Sequence, residues 1–126
     1  MKLLLDTHVL IWSLAEVEQL SGQAVNALTD PANTLLVSAV SGYEIELKRS
    51  YDTLLQRLPA TLEEAVIKEG FRWRPILAAD GIRAGRLPWH DKDPWDRLLV
   101  AQSLNDDIPI VSADERLERY GAKVIW

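Results

Sequence analysis

The chain has 126 residues, no cysteine and a formal net charge of −5. This length predicts one domain with its own hydrophobic core, and the lack of cysteine excludes disulfides and thiolate metal sites and favours a reducing cytoplasm. The acidic balance argues against nucleic-acid binding by the whole surface, although residues 72–86 carry four arginines against one acid. No apolar run approaches the roughly 18 residues of a membrane span, so we expect a soluble, cytoplasmic protein.

The segment Lys2–Trp12, KLLLDTHVLIW, predicts a buried strand followed by a helix. Three consecutive leucines suit a strand that is covered on both faces, as in a parallel sheet. The strand ends at Asp6, and the apolar spacing from Val9 to Leu14 suits a helix. Asp6 is therefore expected at the carboxyl end of a central strand, the edge at which open α/β sheets bind ligands.

Helices and strands are predicted to alternate through the rest of the chain. Helices are expected at Ser21–Asp30, around Tyr43 to Lys48, across Leu54–Glu69 with a break at Pro59, at Ala78–Gly85, from Asp93 to about Leu104, and at Glu115–Tyr120. Strands are expected at Thr34–Val37, Phe71–Ile76 (an edge strand), Ile108–Val111 and Lys123–Trp126. Helix caps are expected at Ser21, Ser38, Thr61 (in a capping box) and Asp93. The alternation predicts one three-layer α/β/α domain, residues 1–126, around a mostly parallel sheet.

Four acidic residues should meet at one edge of that sheet. They are Asp6 after the first strand, Glu44 after the second, Asp96 at the start of the helix before the fourth, and Asp114 after the fourth. Clustered carboxylates cannot all stay ionised without a counter-ion, because like charges raise each other's pKa. A donor set made of oxygens alone favours Mg²⁺ or Mn²⁺ over zinc. The sequence therefore predicts a divalent-cation site, and such ions can activate water for attack on a phosphodiester.

Three of these carboxylates also have a structural interpretation based on their local sequence. Asp6 can cap the helix that follows it, and Asp114 can begin the short helix after it. Glu44 can complete a capping box with Ser41 or form an ion pair with Lys48, four residues further on.

The fourth, Asp96, lies at a helix amino terminus, where the helix dipole favours any acid. Asp91 and Asp93 compete with it for a metal role, although Asp93 is better placed as the helix cap. All four candidates nevertheless fall at one sheet edge, and independent caps have no reason to be all acidic and to border one cleft. This favours a shared site.

Histidine and tryptophan side chains near the cleft are weaker candidates. His8 and His90 suit contacts beside the ligands or with nucleic acid better than direct ligation, and a structural role is as good an interpretation. Trp89 and Trp95 flank the cleft and can stack on a base, although core or interface packing is the default for tryptophan.

Four segments carry a family resemblance: LLLDTHVLIW at the start, SAVSGYEIELK at 38–48, LPWHDKDPWDRLLVAQS at 87–103 and IVSAD at 110–114. Together they resemble the PIN-domain ribonucleases, and among these the toxins of the VapC type. The resemblance covers nearly the whole chain in order, and the DTH opening and the DPWDRLLVAQ segment are its most specific parts. Trp95 stands where the family commonly has Phe, and Gly42-Tyr43 where an aliphatic–Trp pair is frequent. Neither difference touches a proposed ligand, so both bear on substrate contacts.

The resemblance implies a function and partners. It implies that Mg²⁺ or Mn²⁺ is bound by the acidic quartet Asp6, Glu44, Asp96 and Asp114. It also implies supporting or substrate-side roles for Ser112, Arg97, Thr7 and His8. The expected reaction is metal-dependent hydrolysis of RNA, with Asp6 and Asp96 as the main ligands and nearby Arg or Lys residues holding the RNA backbone. The expected partners are RNA, a small antitoxin whose tail fills the active-site groove, and a second copy of the chain in a homodimer.

Three other classes of protein remain as alternatives. A catalytically inactive PIN-like module would bind RNA or protein without cutting. A receiver-like phospho-acceptor domain needs a second acid beside Asp6, which is absent. A haloacid-dehalogenase-type phosphatase needs an Asp two residues after the first, where this chain has His8.

Overall fold

Five short parallel strands form one sheet in the computed structural model, which describes residues 1–126. They are β1 (Lys2–Leu5), β2 (Thr34–Ser38), β3 (Arg72–Arg74), β4 (Ile110–Val111) and β5 (Val124–Ile125). Their order across the sheet is β3-β2-β1-β4-β5, and every neighbouring pair runs parallel. The prediction of a parallel sheet with the first strand at its centre is confirmed, as is the edge position of β3.

Helices connect the strands and cover both faces of the sheet. They are α1 (Thr7–Ala15), α2 (Gly22–Thr29), α3 (Ala39–Lys48), α4 (Thr53–Gln56), α5 (Leu62–Lys68), α6 (Ala78–Arg86) and α7 (Pro94–Asp106), with 3₁₀ segments at Val17–Gln19 and Glu115–Tyr120. None of these helices combines the length and the apolar character that crossing a bilayer requires.

The three leucines of β1 divide the core into two layers. Leu3 and Leu5 belong to a cluster of 15 buried residues on one face of the sheet, and Leu4 packs with Leu99 and Leu117 on the other face. All three leucines of β1 are fully buried, and burial of each contributes about 1.5–3 kcal/mol. The predicted three-layer α/β/α architecture is confirmed. Because β1 is covered on both faces, packing holds its carboxyl end, which Asp6 follows, in place.

Most predicted helix caps are present. The side chains of Ser21, Ser38 and Asp93 accept hydrogen bonds from backbone N–H groups two or three residues ahead, at 2.9–3.0 Å. The capping box predicted at Thr61 is wrong, because its side chain makes no cap hydrogen bond. The backbone of Thr61 has φ −96° and ψ 71°, outside the extended region that N-cap residues usually adopt.

The strands are shorter than predicted where proline interrupts them. Only Ile110–Val111 of the expected Ile108–Val111 strand forms β4. Pro109 has no N–H to donate to the ladder, although its carbonyl still accepts a hydrogen bond from Leu4 at 2.9 Å. Likewise, β3 ends at Arg74, directly before Pro75.

A buried ion-pair network attaches the edge strand to the helices beside it. The guanidinium of Arg74 donates two hydrogen bonds to Asp80, at 2.8 and 3.0 Å, and two to Asp106, at 2.8 and 3.1 Å. Asp80 is fully buried. Its burial opposes ionisation, but hydrogen bonds from Arg74 and Asn105 outweigh it and hold the pKa of Asp80 below the ordinary 3.8.

Candidate functional site

The four predicted carboxylates line one cleft at the carboxyl edge of the sheet. The cleft has a volume of about 500 Å³, and its lining residues are Asp6, His8, Trp12, Glu44, Lys48, Asp93, Asp96, Ala113, Asp114 and Arg116. Asp6 follows β1 directly and Asp114 follows the neighbouring strand β4, so parallel pairing places them side by side. A larger groove of about 630 Å³ runs along α3, α5 and β3, but none of the four carboxylates lines it.

Asp6 is held by a serine from the neighbouring strand end. Its side chain does not cap α1, so the capping interpretation is wrong. Instead its carboxylate accepts a 2.6 Å hydrogen bond from the Ser112 hydroxyl, which itself accepts one at 3.0 Å from the backbone N–H of Asp114. Asp6 is only 7% exposed, and this burial raises its pKa despite the opposing effects of Ser112 and His8. Ser112 thus orients Asp6 and joins it to the loop that carries Asp114.

Glu44 is nearly buried and paired within its own helix. Its Oε2 atom accepts a 2.7 Å hydrogen bond from the Lys48 ammonium, as the i,i+4 spacing predicts. The alternative capping box with Ser41 is wrong, because Ser38 is the N-cap of α3 and the Ser41 hydroxyl lies 2.8 Å from that of Thr7. The contact between Thr7 and Ser41 ties α1 to α3 beneath the cleft.

Asp96 is the one member of the quartet whose side chain accepts no hydrogen bond. Two neighbouring acids do accept hydrogen bonds from the backbone. Asp93 caps α7 by accepting from the Trp95 N–H, and Asp91 accepts from the Asp93 N–H at 2.9 Å. Burial, and then the negative charges of Asp93, Asp6 and the other acids nearby, raise the pKa of Asp96 to about 7. A carboxylate in this position is electrostatically unsatisfied and suited to a cationic ligand.

Asp114 has both a capping role and a cationic partner. Its side chain accepts from the Arg116 backbone N–H at 3.0 Å and so caps the 3₁₀ segment, as its structural interpretation predicts. The Arg116 side chain also donates to both Asp114 carboxylate oxygens at 3.0 Å. This forked pair is the main reason why the pKa of Asp114 lies below the ordinary 3.8.

The donor set of the cleft fits a hard divalent cation in its chemistry. It offers five carboxylates, those of the quartet and that of Asp93, and no thiolate. Burial and then the neighbouring acids raise the pKa of Asp96, which favours a cationic ligand there. As the side chains stand, however, no group of three or more His, Cys, Asp or Glu residues is arranged to hold a metal ion. Glu44 and Asp114 direct oxygens to Lys48 and Arg116 instead.

Arg97, predicted to have a structural or substrate-side role, is a structural residue in this fold. Its buried guanidinium donates to four backbone carbonyls in and around the loop between α6 and α7, at 2.8–3.3 Å. The Trp89 ring covers it, with the Arg97 Cζ atom 4.6 Å from the ring centroid. These carbonyls use all four terminal N–H donors of Arg97, and the residue does not line the cleft.

Of the histidine and tryptophan candidates His8, His90, Trp89 and Trp95, only His8 lines the cleft. His8 lines the cleft and packs against Trp12, with ring centroids 5.7 Å apart. Trp95 packs against the exposed Tyr43 at 5.1 Å, and His90 lies edge-on to the Tyr120 ring, 5.1 Å away.

Two charged residues of the cleft are not among the predicted site residues. Lys48 is predicted only as a helix partner of Glu44, and no role is predicted for Arg116. The local signals for both were present, since Lys48 follows Glu44 at the helical i,i+4 spacing and Arg116 follows Asp114 by two residues.

The family model of the PIN domain matches residues 3–123. The chain belongs to the PIN-domain family. Ribonuclease VapC22 of Mycobacterium tuberculosis is 30% identical to this PIN domain over 118 residues, which cover 93% of this chain and 90% of that protein.

Solved structures resemble this PIN domain over nearly its full length. VapBC2 from Rickettsia felis bound to a promoter DNA fragment matches with a TM-score of 0.69 at 13% identity, covering 98% of this chain and 97% of that one. FitAcB from Neisseria gonorrhoeae matches with a TM-score of 0.65 at 17% identity, covering 97% of this chain and 95% of that one. A toxin–antitoxin complex from Klebsiella pneumoniae matches with a TM-score of 0.63 at 17% identity, covering 98% of this chain and 95% of that one. At these identities the likeness shows the fold, and it confirms the predicted PIN-like class.

Proposed function

We propose that this PIN domain is a metal-dependent endoribonuclease of the VapC type that acts in the cytoplasm as the toxin of a toxin–antitoxin pair. The observation that carries the proposal is the meeting of Asp6, Glu44, Asp96 and Asp114 in one cleft, although they come from four different parts of the chain. The similarity to Ribonuclease VapC22 supports ribonuclease rather than other phosphodiester chemistry.

The proposed mechanism assigns the four carboxylates unequal roles. Asp6 and Asp96 are the main ligands, because Ser112 already orients Asp6 and Asp96 has no competing partner. Glu44 and Asp114 complete the site or support it from its two sides. A Mg²⁺ or Mn²⁺ ion held by these carboxylates would supply an activated water and would stabilise charge on the leaving oxygen.

Residues around the quartet position it rather than react. Ser112 fixes one Asp6 oxygen, and the contact between Thr7 and Ser41 joins α1, which follows Asp6, to α3, which carries Glu44. Hydrogen bonds of this kind set the orientation and basicity of metal ligands, and losing one commonly costs 10–100-fold in metal affinity or activity. His8, exposed at the cleft, is available to contact substrate.

Two protein partners belong to the proposal. The structural neighbours include toxin–antitoxin complexes, which supports a small antitoxin as a partner of this chain. We also propose a homodimer. The antitoxin is tested by whether a small protein co-purifies with the chain from its native host, and the homodimer by light scattering of the purified chain.

The catalytic proposal is tested by cleavage of a mixed cellular RNA pool in Mg²⁺ or Mn²⁺, compared with EDTA. Asp6→Asn and Asp96→Asn proteins, shown to be folded by circular dichroism, should lose cleavage. Asp107→Asn is a matched control: it removes a carboxylate charge from an exposed residue outside the cleft, in a left-handed conformation that Asn tolerates well. This control should cut like the wild type.

A catalytically inactive PIN module is the alternative outcome. Wild-type protein that binds Mn²⁺ and RNA but cuts nothing in the pool, with or without its partners, would favour the inactive module. Cleavage that persists in EDTA or in both Asp→Asn variants would contradict the assigned site.

A further inference from the structure

Two basic side chains face the carboxylates inside the cleft. The Lys48 ammonium lies 2.7 Å from Glu44 Oε2, and the Arg116 guanidinium contacts both carboxylate oxygens of Asp114 at 3.0 Å. Lys48 stands at the last turn of α3, which follows β2, and Arg116 lies beyond β4. Since β1 runs between β2 and β4, the two cations flank Asp6 from opposite sides.

These ion pairs involve two of the four proposed ligands. Arg116 contacts both oxygens of Asp114, so a divalent ion bound to either oxygen lies close to the guanidinium and is repelled by its charge. Glu44 has one oxygen bonded to Lys48. The side chains of Lys48 and Arg116 are 36% and 67% exposed, so both are long, partly solvated and able to move without unpacking the core.

The charge balance shows why the position of these two residues matters for RNA. The cleft lining carries five carboxylates against Lys48 and Arg116, with His8 as the one further basic group. A phosphate cannot approach such a lining favourably while both cations are already paired with carboxylates. It can do so once a divalent ion offsets part of the carboxylate charge and the two cations are released.

We propose that Lys48 and Arg116 are exchangeable counter-ions that connect metal binding to RNA binding. Without metal they neutralise Glu44 and Asp114. When a divalent ion takes over these carboxylates, Lys48 and Arg116 turn to the phosphates on either side of the scissile bond. The inference rests on the proposed ribonuclease function and adds two substrate-positioning residues to it.

The first test measures Mn²⁺ affinity by calorimetry in Lys48→Met and Arg116→Met proteins without RNA. Each substitution removes a competitor of the metal, so each should tighten Mn²⁺ binding about two- to fivefold, the range that a partly exposed ion pair is worth. Lys68→Met and Arg72→Met remove exposed cations outside the cleft and should leave Mn²⁺ affinity unchanged.

The second test measures binding of a labelled single-stranded RNA of mixed sequence, in Ca²⁺ and in EDTA. In Ca²⁺ each substitution should weaken binding and lower the slope of log affinity against log salt by about 0.7, the value for one phosphate contact on a single strand. In EDTA, where the cations stay paired, the same substitutions should change RNA affinity less than twofold.

The combination of results separates this inference from a structural role and from the proposed function. Weaker Mn²⁺ binding in Lys48→Met and in the milder Lys48→Gln, with a lower melting temperature, would show that Lys48 stabilises the site rather than competes for it. If Lys48→Met and Arg116→Met reduced RNA affinity equally in Ca²⁺ and in EDTA, the proposed exchange of these cations between carboxylates and phosphates would be wrong. If wild-type protein binds Mn²⁺ and cuts RNA while the variants bind both ligands unchanged, the inference fails alone. If wild-type protein binds no divalent ion, the proposed function fails with it.

Discussion

Replacing Asp96 with asparagine should stabilise the metal-free protein at alkaline pH while removing its activity. In the folded chain the pKa of Asp96 is about 7, because of burial and neighbouring acids, against an ordinary value of 3.8. Above pH 7 Asp96 is therefore ionised in the folded state, where its negative charge is less stable than in the solvated, unfolded chain. The Asp96 carboxylate accepts no hydrogen bond, so replacing it with the Asn amide deprives no protein donor of its acceptor. The substitution removes the repulsion between Asp96 and the neighbouring acids.

The size of this effect follows from the two pKa values. Without solvent screening, the shift of the Asp96 pKa from 3.8 to about 7 would lower the free energy of unfolding by about 4 kcal/mol, at 1.36 kcal/mol per pKa unit. Asp96 is half-buried, so solvent screening reduces this to about 1–2 kcal/mol. For a chain of this size that is a rise of about 3–8 °C in melting temperature.

The sign of the pH dependence is a second check on the same residue. An acid with a raised pKa in the folded state destabilises the protein fully above that pKa, and the penalty disappears as the pH falls toward the unfolded value. The advantage of Asp96→Asn should therefore be largest at pH 8 in EDTA and shrink to a few tenths of a kcal/mol at pH 4.5.

Urea unfolding at both pH values, with Asp107→Asn as the control, measures this advantage. Added Mg²⁺ should reverse the order at pH 8, because it stabilises only the protein that binds it. An Asp96→Asn protein that is less stable than the wild type at pH 8 in EDTA, beside an unaffected control, would refute the electrostatic reasoning.

Three further substitutions test the surroundings of the cleft. Arg74→Met leaves Asp80 buried without its cation, so we expect a loss of about 3–5 kcal/mol in urea unfolding; a loss below 1 kcal/mol would contradict the network. Ser112→Ala frees Asp6 to rotate, and calorimetry should show Mn²⁺ affinity reduced about tenfold or more, whereas unchanged affinity would show that Asp6 needs no orientation. Arg97→Met leaves four backbone carbonyls without their donor and should lower the free energy of unfolding by about 3 kcal/mol or more, while RNA affinity of the folded protein stays at the wild-type level. A selective loss of RNA affinity would instead assign Arg97 to substrate binding.

The parts of the fold that the sequence predicted correctly are those determined by local pattern. Three adjacent leucines specify a strand buried on both faces, and the Asp93-Pro94 pair specifies the start of α7. The placement of Asp6 and Asp114 at one edge follows from parallel strand order. The strand limits at β3 and β4 were less accurate, because the pairing partner decides where a ladder ends.

The details of the site depended on contacts between residues distant in sequence. Ser112 reaches Asp6 across 106 positions, and Thr7 meets Ser41 across 34. No local pattern distinguishes a serine that holds a ligand from one that caps a helix. The absence of the expected cap at Thr61 has the same origin, since the fold sets the backbone torsions at that position.

The electrostatic state of each carboxylate was also not predictable from sequence. The sequence offers Asp6 and Asp96 as the main ligands only through the family resemblance, whereas the folded chain raises the pKa of these two acids and lowers that of Asp114. The difference arises from burial and from Arg116. It agrees with the main ligand role proposed for Asp6 and Asp96.

The most direct test of the central claim is the crystal structure of the wild-type protein grown with Mn²⁺, with the ion located by its anomalous scattering. Our account predicts a peak in the cleft, coordinated by Asp6 and Asp96, with Lys48 and Arg116 moved away from Glu44 and Asp114. Manganese bound only outside the cleft, in crystals of a protein that cleaves RNA in the same Mn²⁺ concentration, would contradict it.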